Sequence, residues 1–207
     1  MKFPRILAVA FALAFASASP ATAQINIDFS VLPFGTPIHG VVTQGVLFEF
    51  FENGTPSNNA AVFFGPGCIT YVCDPSLEGV VPNAQLKMTF QNPVRFLQFG
   101  MAMNILAPTF VGMSLYDPFG ALISVNNFAM APLGSFAEGL FQAGDVALGS
   151  VMIDLDADVP VMASRFAVDN IQAQVVPEPA TIVLLATGLL GIGGTALVRR
   201  RRKDLTE

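Results

Sequence analysis

The sequence predicts an all-β fold, an antiparallel β-sandwich, for the central part of this 207-residue chain. Short apolar or alternating runs recur along it, and turn residues separate them, since the chain contains 18 Gly and 15 Pro. No stretch offers a capped helical pattern of about twelve residues. Because an α/β fold would need helices between its strands, the pattern favours two packed antiparallel sheets, which we interpret as a jelly-roll-like sandwich.

Eight central segments are expected to form strands. They are Ile25–Phe29, Gly45–Phe51, Ala84–Phe90, Val94–Met103, Thr109–Tyr116, Ala121–Val125, Ser150–Leu155 and Ser164–Val175. Within Leu86–Phe90, Lys87 and Thr89 alternate with apolar residues, which is the two-residue period of a strand that buries one face. Turns are predicted between the strands, for example at Asp117–Gly120 and Gln142–Asp145.

The N-terminal segment, residues 1–23, has the pattern of a secretory signal peptide. Two basic residues precede an uncharged apolar run, Ile6–Ala16, whose 11 residues are too few to span a bilayer. Small residues come next, and Ala21 and Ala23 form the A-x-A pattern of a cleavage site. We therefore expect cleavage between Ala23 and Gln24, and export of the chain from Gln24 onward.

The predicted domain is Gln24–Val176, and it contains both cysteines of the chain. Cys68 and Cys73 bracket four residues between a Gly-Pro-Gly and an Asp-Pro sequence. In an oxidising compartment, this spacing across a short loop predicts a local disulfide. The spacing is not C-x-x-C, so it does not favour a redox-active pair.

The C-terminal segment, residues 177–207, has three parts. A Pro177-Glu178-Pro179 box precedes Ala180–Val198, an uncharged run of 19 residues. As a helix this run would be about 28 Å long, which matches the hydrocarbon core of a bilayer. The cations after this run predict a cytoplasmic tail, 199–207, with the domain outside. These cations are Arg199, Arg200, Arg201, Arg202 and Lys203.

The box, the apolar run and the basic cluster together resemble the PEP-CTERM sorting signal of Gram-negative bacteria. The resemblance implies recognition by exosortase, a membrane-embedded cysteine protease, which releases or transfers the outer portion of its substrates. It also implies a transient anchor in the inner membrane, followed by the outer surface or an extracellular, biofilm-type matrix rich in exopolysaccharide. These are expectations about sorting, and they assign no biochemical activity to the domain.

Charge and histidine content exclude several functions for the domain. Residues 24–176 include 12 acidic and 3 basic residues, a net charge of −9, so nucleic acid is not expected as a partner. His39 is the only imidazole of the chain, and we expect it in an exposed turn instead of a catalytic site. Glu49 and Glu52 lie three residues apart on a predicted strand, hence on opposite faces, which disfavours a glycosidase pair. No catalytic residue is predicted.

An Asp-x-Asp-x-Asp run at Asp154, Asp156 and Asp158 begins like a calcium-binding EF-hand. The rest of the pattern fails, because Val159 stands where glycine is needed and Arg165 where a bidentate Glu belongs. The run is therefore interpreted as an acidic strand edge, with a looser calcium site as the alternative.

A second calcium hypothesis comes from resemblance. The domain resembles jelly-roll carbohydrate-binding modules in outline, and in these a structural calcium commonly joins the first strand to the last. Asp28 and Asp169 occupy those places here. Carboxylate oxygens suit Ca²⁺, and the alternative is that both carboxylates only accept hydrogen bonds from loop amides.

Three functions remain for the domain. The first is a non-catalytic structural or adhesive component of the surface or matrix. The second is a calcium-stabilised carbohydrate-binding module, although a chain with no Trp and with only Tyr71 and Tyr116 does not predict a flat aromatic platform. The third is an extracellular polysaccharide hydrolase, for which the sequence offers no set of catalytic residues.

Overall fold

The computed structural model describes residues 23–80, 83–155 and 165–176, all of which belong to one unit, Ala23–Val176. These residues form antiparallel strands and one 3-10 turn, Phe29–Val31, which confirms the all-β prediction. Most of the predicted signal peptide and the whole segment 177–207 lie outside the described residues. In the described ranges, no helix is long and apolar enough to cross a membrane.

The described ranges contain eleven strands. They are β1 (Gln24–Asn26), β2 (Val41–Thr43), β3 (Val46–Glu52), β4 (Thr55–Pro56), β5 (Ala61–Phe63), β6 (Ser76–Gly79), β7 (Ala84–Met103), β8 (Thr109–Tyr116), β9 (Leu122–Leu133), β10 (Phe136–Asp154) and β11 (Phe166–Val175).

All of these strands belong to one sheet, because β7 and β10 are long enough to pair with strands in both of its halves. β7 pairs with β3 through Ala84–Phe90 and with β11 through Val94–Met103. β10 runs alongside β7 and pairs in addition with β9 through Phe136–Glu138 and with β8 through Ser150–Asp154. The prediction of two packed antiparallel sheets was therefore wrong in one respect: the two halves of the sandwich belong to one sheet, connected by continuous strands.

The core consists of apolar side chains held between the two halves. Phe50 on β3 and Phe166 on β11 belong to opposite halves, and their ring centroids lie 5.8 Å apart. Both rings are fully buried, as are those of Phe48 and Phe99. Alternation along β3 and along the first half of β7 places every second residue in this core. The Phe-rich composition thus serves the interior of a β-sandwich.

The predicted strands differ from the observed ones mainly in β10. The two predicted segments of β7 form one strand, and the first half of β10 was not predicted. Gln142–Asp145, which the sequence predicts as a turn, lies inside β10 at a change of register, where Asp145 has a φ of 67°. Some β-bulges and the type I′ and II′ turns share a residue with positive φ, as Asp145 has here, so their local sequences look alike.

Candidate functional site

The segment between β5 and β6, residues 64–75, forms a loop that carries the disulfide. Cys68 and Cys73 are bonded to each other, which confirms the predicted bridge. Within the loop, the Ile69 amide donates to the Val72 carbonyl oxygen at 2.9 Å. We call residues 64–75 the disulfide loop.

Buried carboxylates from the sheet hold the disulfide loop in place. Glu138 on β10 is 3% exposed, and its Oε2 accepts hydrogen bonds from the amides of Thr70 at 2.9 Å and Tyr71 at 3.1 Å. Asp169 on β11 is 7% exposed, and its Oδ2 accepts from the Cys73 amide at 3.1 Å. These carboxylates satisfy loop amides that would otherwise be left without partners.

The underside of the disulfide loop is apolar. Val72 packs with Ala102 of β7 and Ala167 of β11 in a small cluster separate from the main core. Gly100 on β7 lies directly beneath the loop, and a Cβ added there would overlap the backbone carbonyl of Tyr71. The loop therefore covers the outer face of the sheet at a place where only a glycine fits.

Glu78 on β6 lies near Gly65, at the start of the disulfide loop. It is 3% exposed and forms an ion pair with Arg165, whose side chain is about half exposed. Burial raises the pKa of Glu78, while the positive charge of Arg165 opposes the rise. Beside the pair is a cavity of about 120 Å³, lined among others by Gly65, Asn104 and Phe136. The cavity is too small for more than a few water molecules.

The predicted calcium ligands lie near each other, and each already has a partner. Asp28 is exposed, and its Oδ1 accepts from the Ser30 amide at 2.8 Å, which caps the 3-10 turn. The side chain of Ser30 and then its amide lower the pKa of Asp28 through hydrogen bonds to the carboxylate. Burial raises the pKa of Asp169 to about 6, and the charges of Asp28 and Asp74 add to the rise. Mutual repulsion of carboxylates favours a cation between them.

The donor set nevertheless falls short of a complete calcium site. Ca²⁺ takes six to eight oxygen ligands, whereas no group of three or more acidic, His or Cys side chains in the described ranges is arranged around one point. Asp74 contributes one unusual feature, since its Oδ1 is buried without a hydrogen-bond partner among the described residues. The calcium ion at Asp28 and Asp169 stays a prediction.

Calcium-dependent melting of the full-length chain in mild detergent tests this prediction. If the ion binds, free Ca²⁺ at 100 times its Kd is expected to stabilise the fold by about 2.7 kcal/mol. That corresponds to a rise in Tm of roughly 5–11 °C. An Asp28→Asn variant should lose most of this rise. A Tm that excess EGTA leaves unchanged would contradict the prediction.

The pKa of Asp169 predicts how stability depends on pH. Its ordinary value is 3.8, and in the fold it is about 6, so the folded state binds the proton more tightly. The stabilising contribution is therefore complete below about pH 4 and is lost as the pH rises through 6. Unfolding in this window should release up to about one proton from this group.

An Asp169→Asn variant should flatten this part of the pH profile. The measurement is Tm between pH 4 and 7, with and without the substitution. Asp28→Asn should flatten the same part of the profile to a smaller extent, because the Asp28 charge adds to the rise in the pKa of Asp169, whereas the lowered pKa of Asp28 itself affects stability only below pH 3.8. The explanation fails if Asp169→Asn leaves the slope between pH 4 and 6 as it is in the wild type.

The other acidic and histidine candidates have structural partners. His39 is half-buried, and its Nδ1 lies 2.9 Å from the carbonyl oxygen and 3.1 Å from the amide nitrogen of Phe50. Glu49 pairs with Lys87 at 3.1 Å, and Glu52 accepts from Asn59 at 2.7 Å. The prediction of an exposed histidine was wrong in part, because the ring is half-buried and contacts the backbone of Phe50 on β3.

Several predicted residues lie at the edge of the described ranges or outside them. Asp154 is on β10, whereas Asp156 and Asp158 are outside the described residues. Ala21 and the PEP box at 177–179 are outside as well. At the predicted cleavage site, Gln24 begins β1, and the Ala23 carbonyl accepts from the Val175 amide at 2.8 Å.

Two surface features were not expected from the sequence. Phe34 and Phe64 are more than 60% exposed and stack on each other, with centroids 5.6 Å apart and an interplanar angle of 15°. In addition, a groove of about 590 Å³ runs between β9 and β10, with Phe128 and Phe141 among its lining residues. For the groove, Gly139 within β10 was the available signal, since a glycine inside a strand marks a place where a ring or a backbone approaches closely, as Phe128 does here.

Comparison with known proteins finds no curated protein that matches the chain. Among solved structures it is similar to a family 29 carbohydrate-binding module, with 7% identity and a TM-score of 0.42, over 74% of this chain and 89% of the other. A CBM29-2 mutant complexed with mannohexaose gives 8% identity, a TM-score of 0.42 and coverage of 74% and 92%. Tailspike protein 4 of bacteriophage CBA120 gives 13% identity, a TM-score of 0.40 and coverage of 73% and 21%.

Scores at this level assign neither a topology nor a ligand to this chain. The sorting segment is different, because a family model covers the whole pattern noted in the sequence. Residues 175–203, from the end of β11 through the basic cluster, match the PEP-CTERM protein-sorting motif. The C-terminal segment of this chain is a PEP-CTERM protein-sorting motif, as its box, apolar run and basic cluster predicted.

Proposed function

We propose that this chain is an exported surface or extracellular-matrix protein that exosortase processes at its C-terminus. In this proposal the β-sandwich is a non-catalytic structural or adhesive domain. The observation that carries the proposal is the match of residues 175–203 to the PEP-CTERM protein-sorting motif. The matching segment would hold the chain in the inner membrane until processing releases or transfers the domain.

The end of the domain supports this proposal. β11 ends at Val175, and the Val176 amide donates to the Pro93 carbonyl oxygen at 2.7 Å. The box begins at the next residue, Pro177. A proline there cannot donate a further strand hydrogen bond, so pairing is expected to stop where the PEP box starts.

The contacts of the acidic residues support a non-catalytic domain. A general acid or base must reach a substrate proton, whereas Glu138 and Asp169 are buried against loop amides. Glu49 and Glu52 are engaged by neighbouring side chains. Their carboxylates therefore stabilise the fold and do not converge on an open cleft.

Replacing Pro177, Glu178 and Pro179 with Ala tests the sorting proposal in a host that has exosortase. We expect complete retention of the unprocessed chain in the membrane fraction, because the protease loses its recognition box. The measurement is cell fractionation followed by intact-mass analysis. In the wild type, the surface form should lack the basic cluster, Arg199–Lys203.

A matched control replaces Asp204, Leu205 and Thr206 with Ala. These three residues lie beyond the matched motif, so processing should continue as in the wild type. A wild-type surface form that still contains Arg199–Lys203 would overturn processing by exosortase.

A further inference from the structure

The groove between β9 and β10 arises because these strands separate after a short hairpin. They pair only through Ala131–Leu133 and Phe136–Glu138. Beyond the hairpin, β9 pairs with β8, and the edge of β10 that faces β9 is next paired at Ser150, also with β8. The two strands therefore diverge and leave an open groove of about 590 Å³ between them. Ligand sites commonly fall between about 300 and 1,000 Å³.

The floor of the groove contains aromatic rings that pack against the core. Phe128 on β9 is half-buried and meets Phe141 on β10 edge to face, with centroids 5.9 Å apart. Phe141 in turn lies 4.9 Å from Phe99 of β7. Gly139 makes room for Phe128, since a Cβ at residue 139 would overlap the end of that ring. The phenyl ring is thus held in one place, as a stacking surface needs to be.

Neutral hydrogen-bonding groups surround these aromatic rings. Asn126, Asn127 and Gln142 line the groove and are exposed. The Asn126 amide donates to Ser124 Oγ at 3.0 Å, and the Gln142 amide donates to Gln98 Oε1 at 2.7 Å. Each side-chain amide presents both donors and acceptors. Such groups suit a ligand that is itself covered with hydroxyls.

The charge of the groove narrows the range of ligands that it can bind. None of its lining residues is charged, although residues 24–176 carry 12 acidic and 3 basic residues. The charges beside the lining have opposite signs, with Asp145 in the bulge of β10 and Arg95 on the adjacent β7, whose backbone lies next to Gly144. An anionic ligand would find no cation in the lining itself. A cationic ligand would find no acid in the lining to pair with.

We propose that this groove binds a neutral polysaccharide chain, with sugar faces on Phe128 and hydroxyls on the amides of Asn126, Asn127 and Gln142. The inference deepens the proposed function, since it names the matrix component to which the domain adheres. An open groove admits a segment within a polymer as well as a chain end. The phenyl ring replaces the Trp or Tyr that more often stacks on sugars.

Affinity electrophoresis of the full-length chain in mild detergent tests the proposal. Native gels contain hydroxyethylcellulose, galactomannan or dextran as neutral polymers, and alginate as an anionic one. We expect at least one neutral polymer to retard the protein, and alginate to leave its mobility unchanged. Gln142→Ala and Phe128→Ala should each weaken the apparent affinity roughly 2- to 13-fold, which is the loss of one stacking or hydrogen-bonding contact.

Two comparisons keep a folding defect separate from a binding defect. Gln142 is exposed, so its substitution should leave Tm unchanged, whereas Phe128→Ala is accompanied by Phe128→Leu to keep an apolar contact. Phe34→Ala is the matched control, because Phe34 is an exposed aromatic residue outside the groove lining. Its affinity should equal that of the wild type.

The proposal is overturned if none of the three neutral polymers retards the protein. It is also overturned if alginate binds most tightly, or if Gln142→Ala and Phe128→Ala bind like the wild type. A dimer that Phe128→Ala dissociates would assign the groove to a second copy of this chain instead. Sorting is measured in cells and binding on purified protein, so each proposal can fail while the other stands.

Discussion

Gly100→Ala is expected to displace the disulfide loop and to lower the stability of the domain sharply. Gly100 lies near the end of β7 and is paired with Asp169 on one side and Leu140 on the other, so its backbone cannot move aside. The added methyl group would overlap the carbonyl of Tyr71. Overpacking commonly costs about 1–3 kcal/mol, and here we expect about 3 kcal/mol because a backbone group is displaced.

The measurement is thermal melting of the full-length chain, where this loss corresponds to a fall in Tm of roughly 6–12 °C. Gly144→Ala is the matched control. It is also a strand glycine, but the nearest atoms to its added Cβ would be 3.8 Å away, so its Tm should stay within about 2 °C of the wild type. Equal melting of the two variants would show that the loop does not rest on β7.

Glu138→Ala is expected to free the disulfide loop by removing its acceptor. The substitution leaves the Thr70 and Tyr71 amides without their shared partner, Oε2 of Glu138. Thr70 is exposed and Tyr71 is half-buried, so water can partly replace the lost acceptor, and we expect a cost of about 2 kcal/mol for the two hydrogen bonds together. Hydrogen exchange at Thr70 and Tyr71 should accelerate, and the disulfide should be reduced faster by dithiothreitol.

Two further variants show whether the carboxylate itself is responsible. Glu138→Gln keeps one acceptor oxygen and should fall between the wild type and Glu138→Ala. Glu49→Ala removes a carboxylate from a partly exposed ion pair with Lys87, and its cost should remain below about 1 kcal/mol. If exchange at Thr70 and Tyr71 is the same in Glu138→Ala as in the wild type, the loop is held by other contacts.

The buried and exposed faces of the strands were predictable wherever a strand buries only one of them. Leu86 and Phe90 alternate with Lys87 and Thr89, and the structure places the first pair in the core. The disulfide was predictable for a different reason, since a short loop with two cysteines leaves few other pairings. Both predictions depend on neighbours within a few positions of each other in the chain.

The candidate sites were not predictable, because they depend on residues far apart in the sequence. Glu138 and Thr70 are 68 positions apart, and Asp169 and Cys73 are 96 positions apart. Nothing local distinguishes these carboxylates from exposed strand charges. The groove has the same origin, since β9 and β10 pair with each other at the hairpin and are next joined through β8, with which β10 pairs from Ser150 onward. Gly100 and Gly139, both inside strands, were the signals that a chain or ring lies close.

The position of β11 bears on how the domain carries mechanical load. β11 is the strand that leads directly into the sorting segment, and it pairs with β7 on one side and with β6 and β1 on the other. Tension applied at Val176 therefore runs along a strand with neighbours on both edges. Its hydrogen bonds are perpendicular to that pull, so they resist together in shear and are not peeled apart one at a time. A domain attached through this end is suited to stay folded while its cell or matrix is pulled.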